Sequence, residues 1–434
     1  MKEINYSKVI SVREKYDVLV LGGGAAGIGA ALAAAEKGAK TALVERFGFL
    51  GGMATAGYVN PMSEFAYNGR QVVGGIAWRF AQKLIENGGG LVEEPRCNVS
   101  FNPEIYKLSA QQLMDEYGVT CIMNTVLLDC LMEGNRITTV ILANKSGTFA
   151  LEAEQFIDCT GDADLCAMAG TEFLPQEEAM QPGTTCFTLS GVNTETERMH
   201  IIHQRNHRFN HQATFVREPL LKLREQGVEV PQFGGPWLAT TLVPGSITVN
   251  MTRSAMNATD PQDYQKAESK MRRDVFRLVE LMKEHVEEFK DCYLTSIATV
   301  AGVRESRRVK GVHVLTGLEY VKAFHFTDAI ARSAHAVDIH LPGDDGQKLN
   351  FPEDAGFIPY RSLITATHPN LLVAGRCISA DGEAFAAIRV QAPCMESGQA
   401  AGFAAAMCVK QGINVQDVDT KALVEQVRAA GSFV

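Results

Sequence analysis

Residues Tyr16–Glu45 read YDVLVLGGGAAGIGAALAAAEKGAKTALVE. Val18-Leu19-Val20-Leu21 is a short apolar run with the β-branched content of a strand buried on both faces. Gly22, Gly24 and Gly27 follow as G-x-G-x-x-G, with Ala25 and Ala26 inside the motif. In this pattern the first glycine permits a tight turn and the second lets the backbone approach a pyrophosphate. The third lets the next helix pack closely on the strand. That helix, Ile28 to Lys37, is rich in alanine and stops at Gly38. Its N-terminus offers unpaired N–H groups and a positive dipole end to phosphates. Thr41–Val44 is a second strand, and Glu45 stands at its end, where an acid receives ribose hydroxyls. A glycine turn alone says little; with the strand, the helix and the acid in sequence it predicts a dinucleotide site.

Outward from this motif, a chain of 434 residues is too long for one simple core, and two domains are expected. With 46% hydrophobic and 21% charged residues the composition is that of a globular protein. A net charge of −9 argues against a general binder of nucleic acid or anionic membrane. The N-terminal MKEINYSKVISVREKYD has no apolar run long enough for a secretion signal, and the apolar stretch at 17–35 is broken by glycines, so no membrane span is expected. The ten cysteines form no C-x-x-C pair, which removes the spacing of zinc ribbons and iron–sulfur sites. Scattered cysteines of this kind fit the reduced thiols of a cytoplasmic protein.

After Glu45 come Arg46 and a second glycine pair, Gly51-Gly52, followed by Met53, which suggests backbone pressed against a long cofactor. Residues 60–103 read as an insertion away from the nucleotide fold, with an amphipathic helix around Ile76 to Asn87. A helix over Glu104–Tyr117 precedes strands at 120–123 and 125–131, and 137–143 with 147–151 form a hairpin, giving a three-stranded meander. Gln155–Cys159 returns to the parallel sheet and ends in Thr160-Gly161-Asp162-Ala163-Asp164, where Asp162 or Asp164 caps a short helix. From about 175 the text changes. Strand-like runs flank a Gly234-Gly235-Pro236 loop, and a long helix from Pro261 presents Val275, Leu278, Leu281 and Met282 on one face. His203, His207 and His211 would align on a helical face, but their polar surroundings favour a solvated or anion-binding surface over a metal. No metal site is expected.

Arg304, Arg307 and Arg308 crowd around Glu305, as a carboxylate clamp or a structural ion-pair cluster would. His340 ends an alternating strand, where it could serve as general acid or base or be structural. Asn370–Gly375 is again a buried strand ending in glycine. Ile388-Arg389-Val390-Gln391 then leads through Pro393 into a small-residue helix whose N-terminus could stabilise negative charge on an electron-rich ring.

The chain thus resembles the FAD-dependent oxidoreductases of the two-dinucleotide-binding-domain superfamily that includes glutathione reductase and fumarate reductase. The likeness lies in the glycine-rich N-terminus, LGGMAT at 50–55, DCTGDAD at 158–164, NMTR at 250–253, GVRESRR at 302–308, DIH at 338–340, and the closing IPYRSL, LLVAGRCISA and GQAAG segments. Cys159 departs from it, standing where alanine is usual. The resemblance implies an α/β fold: a Rossmann-like FAD-binding domain with a parallel central sheet and β-meander, plus an inserted α+β substrate or cap domain. The FAD-binding domain would comprise 1–59, 104–175 and 351–434, with 60–103 inserted toward the substrate domain at 176–350.

The resemblance also implies non-covalent FAD, with pyrophosphate on Gly22 to Gly27, adenosine on Glu45 and Arg46, and adenine near Val126. Thr160-Gly161-Asp162 and Gly375-Arg376 would contact the cofactor. The flavin ring would lie between Gly51-Gly52-Met53 and Ile388-Arg389-Val390. His340, Arg304 and Arg253 would face a small-molecule substrate; the oligomeric state is left open. An NAD(P)H-linked reductase is disfavoured by the lack of a second G-x-G-x-x-G unit. A non-redox flavin scaffold stands as the alternative. An electron-transfer subunit would need cluster-binding cysteines.

Overall fold

A computed structural model describes residues 3–176, 180–199, 213–341 and 346–434. His203, His207, His211 and Pro342-Gly343 lie outside the described residues. β1 (Val12–Leu21) begins well ahead of the apolar run: its first four residues are exposed and only the end is sealed in the core. α1 (Ala25–Glu36) and β2 (Thr41–Val44) complete the opening unit, with β1 and β2 parallel from Val18 opposite Thr41 to Leu21 opposite Val44. α2 (Gly75–Glu86) and α3 (Pro103–Glu116) follow. The Asn102 side chain accepts from Glu104 N at the start of α3, and Pro103 fills the first helical position.

Among the described residues the main sheet has seven strands. Six are β1, β2, β3 (Thr120–Ile122), β4 (Val126–Glu133), β5 (Arg136–Asn144) and β6 (Gly147–Asp158), in the order β3-β2-β1-β6-β5-β4. The strand Leu371–Val373 also pairs with β6. The sequence suggests two separate strands at 147–151 and 155–159; β6 is one continuous strand serving both purposes. It runs parallel to β1 from Ala150 to Asp158, antiparallel to β5 from Gly147 to Glu152, and parallel to Leu371–Val373 from Phe156 to Asp158. No turn residue separates the two halves, so the strand simply changes partner.

The segment at 60–103 touches both halves of the molecule. Ile76, Phe80 and Leu84 of α2 enter the same core as α1, while the strand Asn98–Phe101 reaches the second sheet. That sheet is antiparallel, in the order β8-β9-β7-β10, from β7 (Phe187–Ser190), β8 (Phe233–Thr240), β9 (Ile247–Thr252) and β10 (Tyr293–Ile297). α4 (Pro261–His285) closes one face with Val275, Leu278, Leu281 and Met282, packed among Phe187, Leu189, Val249 and Met251. Gly234-Gly235-Pro236, expected as a loop, lies inside β8 at a register irregularity between Phe233 and Trp237. The cause lies across the sheet: a Cβ on Gly234 would stand 2.4 Å from the Arg253 guanidinium, so the glycine gives that side chain its place.

α5 (Gln391–Gln411) is buried from Gln391 through Cys408 and packs along α1. The two backbones nearly touch. A Cβ on Gly398 would lie 2.0 Å from the Ala26 carbonyl, one on Gly402 2.3 Å from Ala30 O, and one on Gly29 2.2 Å from Met395 O. The alanine run of α1 and the small residues of α5 are the two sides of this contact, which brings both helix N-termini to the same end of the main sheet.

Candidate functional site

One cavity runs from the first glycine turn to the inserted sheet. At its nucleotide end the turn after β1 is held by close backbone packing. A Cβ on Gly27 would sit 1.8 Å from Gly22 O, and one on Gly22 2.4 Å from Cys159 O. The second glycine pair presses on the first: Gly51 N donates to Gly23 O at 2.8 Å, and a Cβ on Gly52 would meet Gly24 Cα at 2.8 Å. Glu45 is buried and accepts from Gly23 N at 2.6 Å and Phe47 N at 2.8 Å. Burial pushes its carboxyl above the ordinary value, against these two N–H donors. Burial also opposes ionisation of Asp162, yet Arg376, at 2.7 Å, and the Ser306 hydroxyl, at 2.6 Å, hold it below the ordinary value.

The short helix after Asp162 is not capped by Asp162 or Asp164. Thr160 Oγ1 accepts from Asp164 N and Asp158 Oδ2 from Cys166 N, so acceptors earlier in the chain serve those amides. Asp164 instead pairs with Arg307 at 2.7 Å; burial, with Asp158 and Asp162 nearby, pushes it up to about 6.

At the other end, the arginine run divides. Arg308 pairs with Glu305 at 3.6 Å and donates to Ala380 O, so these residues and Arg307 serve structure. Arg304 lines the cavity, donating through Nη1 to Pro182 O and Thr184 Oγ1, both at 2.6 Å. Arg253 Nη1 donates to the same Thr184 hydroxyl at 2.7 Å and to Thr252 O at 3.0 Å. Two guanidinium groups thus converge on one neutral oxygen. Burial, with Arg253 and Arg389 beside it, depresses Arg304 well below its ordinary value.

His340 is 5% exposed, with Arg253 Nη2 3.1 Å from Nδ1 and Asp338 Oδ2 3.2 Å from Nε2. A guanidinium can only donate, so Nδ1 is the acceptor and Nε2 carries the hydrogen toward Asp338. Burial, Arg304 and Arg253 together keep the imidazole neutral, well below its usual pKa, although Asp338 works the other way. Asp338 stays ionised despite burial because His340 and Arg389 stabilise its charge. Trp237 meets His340 edge-on at 5.5 Å between ring centroids.

Gly22, Gly24, Ala25, Ala26, Glu45, Arg46, Gly51, Gly52, Met53, Thr160, Gly161, Asp162, Gly375, Arg376, Arg389, Val390, Arg304 and His340 all line this cavity. Four expected residues do not. Gly27 is spent on the contact with Gly22. Ile388 is buried at the end of the Gly382–Ile388 helix. Val126 starts the outer meander strand and is 45% exposed; the approach to Glu45 is made by its neighbour, Thr125 N, at 3.0 Å from Glu45 O. Arg253 is 2% exposed, behind His340. The cavity adds Phe47, Trp237, Asn250, Asp338 and Gln391. Asn250 had a signal in the sequence. Thr248, Asn250 and Thr252 alternate with Ile247, Val249 and Met251, so β9 has a polar face opposite its core face.

The nucleotide end fits FAD. α1 opens on Gly24 with no side-chain cap and no acid in its first turn, and α5 opens on Val390 likewise uncapped, both at the cavity. Small side chains and exposed helix-start amides at two points suit a pyrophosphate and the electron-rich edge of a flavin. Among the described residues no group of three metal-ligating side chains occurs, and no helix is long and apolar enough to cross a membrane.

Solved structures of similar architecture include p-nitrophenol 4-monooxygenase PnpA from Pseudomonas putida, at 11% identity over 96% of this chain and 89% of that one, with a TM-score of 0.49. A flavoprotein/dehydrogenase from Cytophaga hutchinsonii is 14% identical over 96% and 86% of the two chains, with a TM-score of 0.48. A geranylgeranyl bacteriochlorophyll reductase-like protein from Thermoplasma acidophilum is 13% identical over 96% and 83%, with a TM-score of 0.46. These distant likenesses carry no argument about chemistry. The family model described as FAD dependent oxidoreductase matches residues 17–428, nearly the whole chain. The protein belongs to the FAD-dependent oxidoreductase family, an enzyme whose cofactor is FAD.

Proposed function

We propose that this enzyme transfers a hydride between the flavin and a small polar substrate bearing a carboxylate or similar anionic group. When bound, FAD supplies the two-electron acceptor or donor. Gly22, Gly24 to Ala26 and Glu45 would hold its nucleotide half, and Gly51-Gly52 with Arg389-Val390 its ring. One observation carries the substrate reading: Arg304 and Arg253 converge on the single Thr184 hydroxyl, with Arg389 close enough to depress Arg304 further. Arg304, the member that lines the cavity, donates to the neutral oxygens Pro182 O and Thr184 Oγ1, and an anionic substrate group would complement its charge.

Arg253 acts through its neighbours as a positioning residue, holding the Thr184 hydroxyl and His340 Nδ1. His340 is the proton-transfer residue. As a neutral imidazole it would take up a proton in the reaction, with Asp338 at Nε2 offsetting the new charge.

The test is the flavin spectrum of the purified protein during anaerobic mixing with carboxylates, hydroxy acids, enoates and uncharged alcohols. Reduction or reoxidation of the flavin by an anionic member, with KM raised about tenfold or more in Arg304→Gln, is expected. A flavin that responds only to uncharged compounds, or to none, would sink the reading.

A further inference from the structure

Buried polar atoms are almost always hydrogen-bonded, and the exceptions in an enzyme cavity point to what is bound there. Five cavity-lining residues each have such an atom without a partner: Asn98 Oδ1, Trp237 Nε1, Asn250 Oδ1, Arg389 Nη1 and Gln391 Oε1. Asn98 opens the strand Asn98–Phe101 of the 60–103 segment. Arg389 and Gln391 stand at the start of α5, beside the expected flavin ring. Trp237 and Asn250 are different, because they belong to the inserted sheet.

Trp237 and Asn250 face each other across β8 and β9 as directly opposed partners, so their side chains share one face of the sheet. The opposite face of β9, with Val249 and Met251, is spent on the core under α4. The indole is held in place: the Arg253 guanidinium carbon lies 5.2 Å over its ring, and His340 meets it edge-on. A fixed N–H donor and a carboxamide acceptor side by side match the two hydrogen-bonding functions of one alcohol group, which accepts and donates through the same oxygen. Neither a carboxylate, which only accepts, nor an ammonium, which only donates, would satisfy both.

We infer that Trp237 and Asn250 are the specificity-determining residues of the site and select substrates whose anionic group is accompanied by a hydroxyl, the class of hydroxycarboxylates. The indole N–H donates to the hydroxyl oxygen, the Asn250 carboxamide accepts its hydrogen, and Arg304 takes the anion. The hydroxyl is thereby bound beside His340. This inference rests on the anionic-substrate reading above, and extends it to the second polar group.

The test uses the holoenzyme with its flavin pre-reduced by dithionite, so that no alcohol can be oxidised during the measurement. Dissociation constants are measured by anaerobic calorimetry for matched pairs, lactate against propionate and malate against succinate. In the wild type at least one hydroxy acid should bind about tenfold or more tightly than its deoxy partner, because the deoxy acid leaves both groups unpaired. Trp237→Phe, which keeps the ring, and Asn250→Leu should each shrink that ratio to below about threefold. Affinity for the deoxy acid should stay unchanged. Flavin content equal to wild type shows that a variant has folded, and either variant alone decides the point. Equal affinities within both pairs in the wild type, or a preference that survives in a folded variant, overturns the hydroxyl assignment alone. Binding of none of the four acids overturns the anionic-substrate reading as well.

Discussion

His340 has a neighbour on each ring nitrogen, Arg253 Nη2 at 3.1 Å and Asp338 Oδ2 at 3.2 Å, and these fix its tautomer. Its pKa is depressed by burial, Arg304 and Arg253, so the neutral form persists into acid solution. A base must be unprotonated to act, so kcat/KM should be flat through neutrality and fall only well below the ordinary histidine range of about 6.5. A pH–rate profile checks this; an acid limb at or above that range contradicts it. Removing Arg253 removes one cause of the depression, so Arg253→Gln should move the acid limb upward. Gly234→Ala should move it the same way, since the added methyl would collide with the Arg253 guanidinium. Fluorescence or absorbance of retained flavin shows that these variants still fold. His340→Ala should keep the flavin spectrum and lower turnover by about two orders of magnitude, measured at saturating substrate. Unchanged turnover would remove His340 from the chemistry.

Between elements, the tightest contact is that of α1 with α5, where Gly29, Gly398 and Gly402 leave no space for a methyl. Gly402→Val should therefore destabilise by about 2 kcal/mol or more and release flavin, read from urea unfolding and from the flavin-to-protein absorbance ratio. At this scale the sequence is readable where one local pattern decides the outcome. G-x-G-x-x-G between an apolar strand and an alanine-rich helix specified β1-α1-β2, and four apolar positions on one face specified the buried side of α4. It is unreadable where a distant partner decides. Gly234-Gly235-Pro236 has loop composition, yet the cause of the glycine is the guanidinium of Arg253, just past the end of the next strand. β6 reads as two strands because its two halves pair with different segments on the same edge. The cavity was legible where backbone lines it, at Gly22, Gly51 and Gly375, since such glycines advertise close approach. It was less legible on the inserted sheet, where Trp237 becomes a candidate only through its cross-strand register with Asn250.

Across the whole molecule, the nucleotide end draws on three separated stretches: the β1-α1-β2 unit, the end of β6, and Gly375 through α5. The cavity residues proposed to face the substrate come from the second sheet and from the Val337–His340 strand. On the proposed reading, cofactor and substrate sites are built by different parts of the chain and meet along one cavity. A protein ending after Val390 should lose bound flavin altogether although it keeps the whole G-x-G-x-x-G unit, because α1 would lack the surface it packs on. Its absorbance spectrum after addition of FAD tests this, and flavin bands that survive gel filtration would contradict it. The clasp between α1 and α5 also sets a timetable for biosynthesis. α1 is synthesised on the order of half a minute before α5 at ordinary translation rates. For that time the alanine and glycine face of α1 is without the partner it has in the fold, so flavin binding that needs this contact should follow the synthesis of α5.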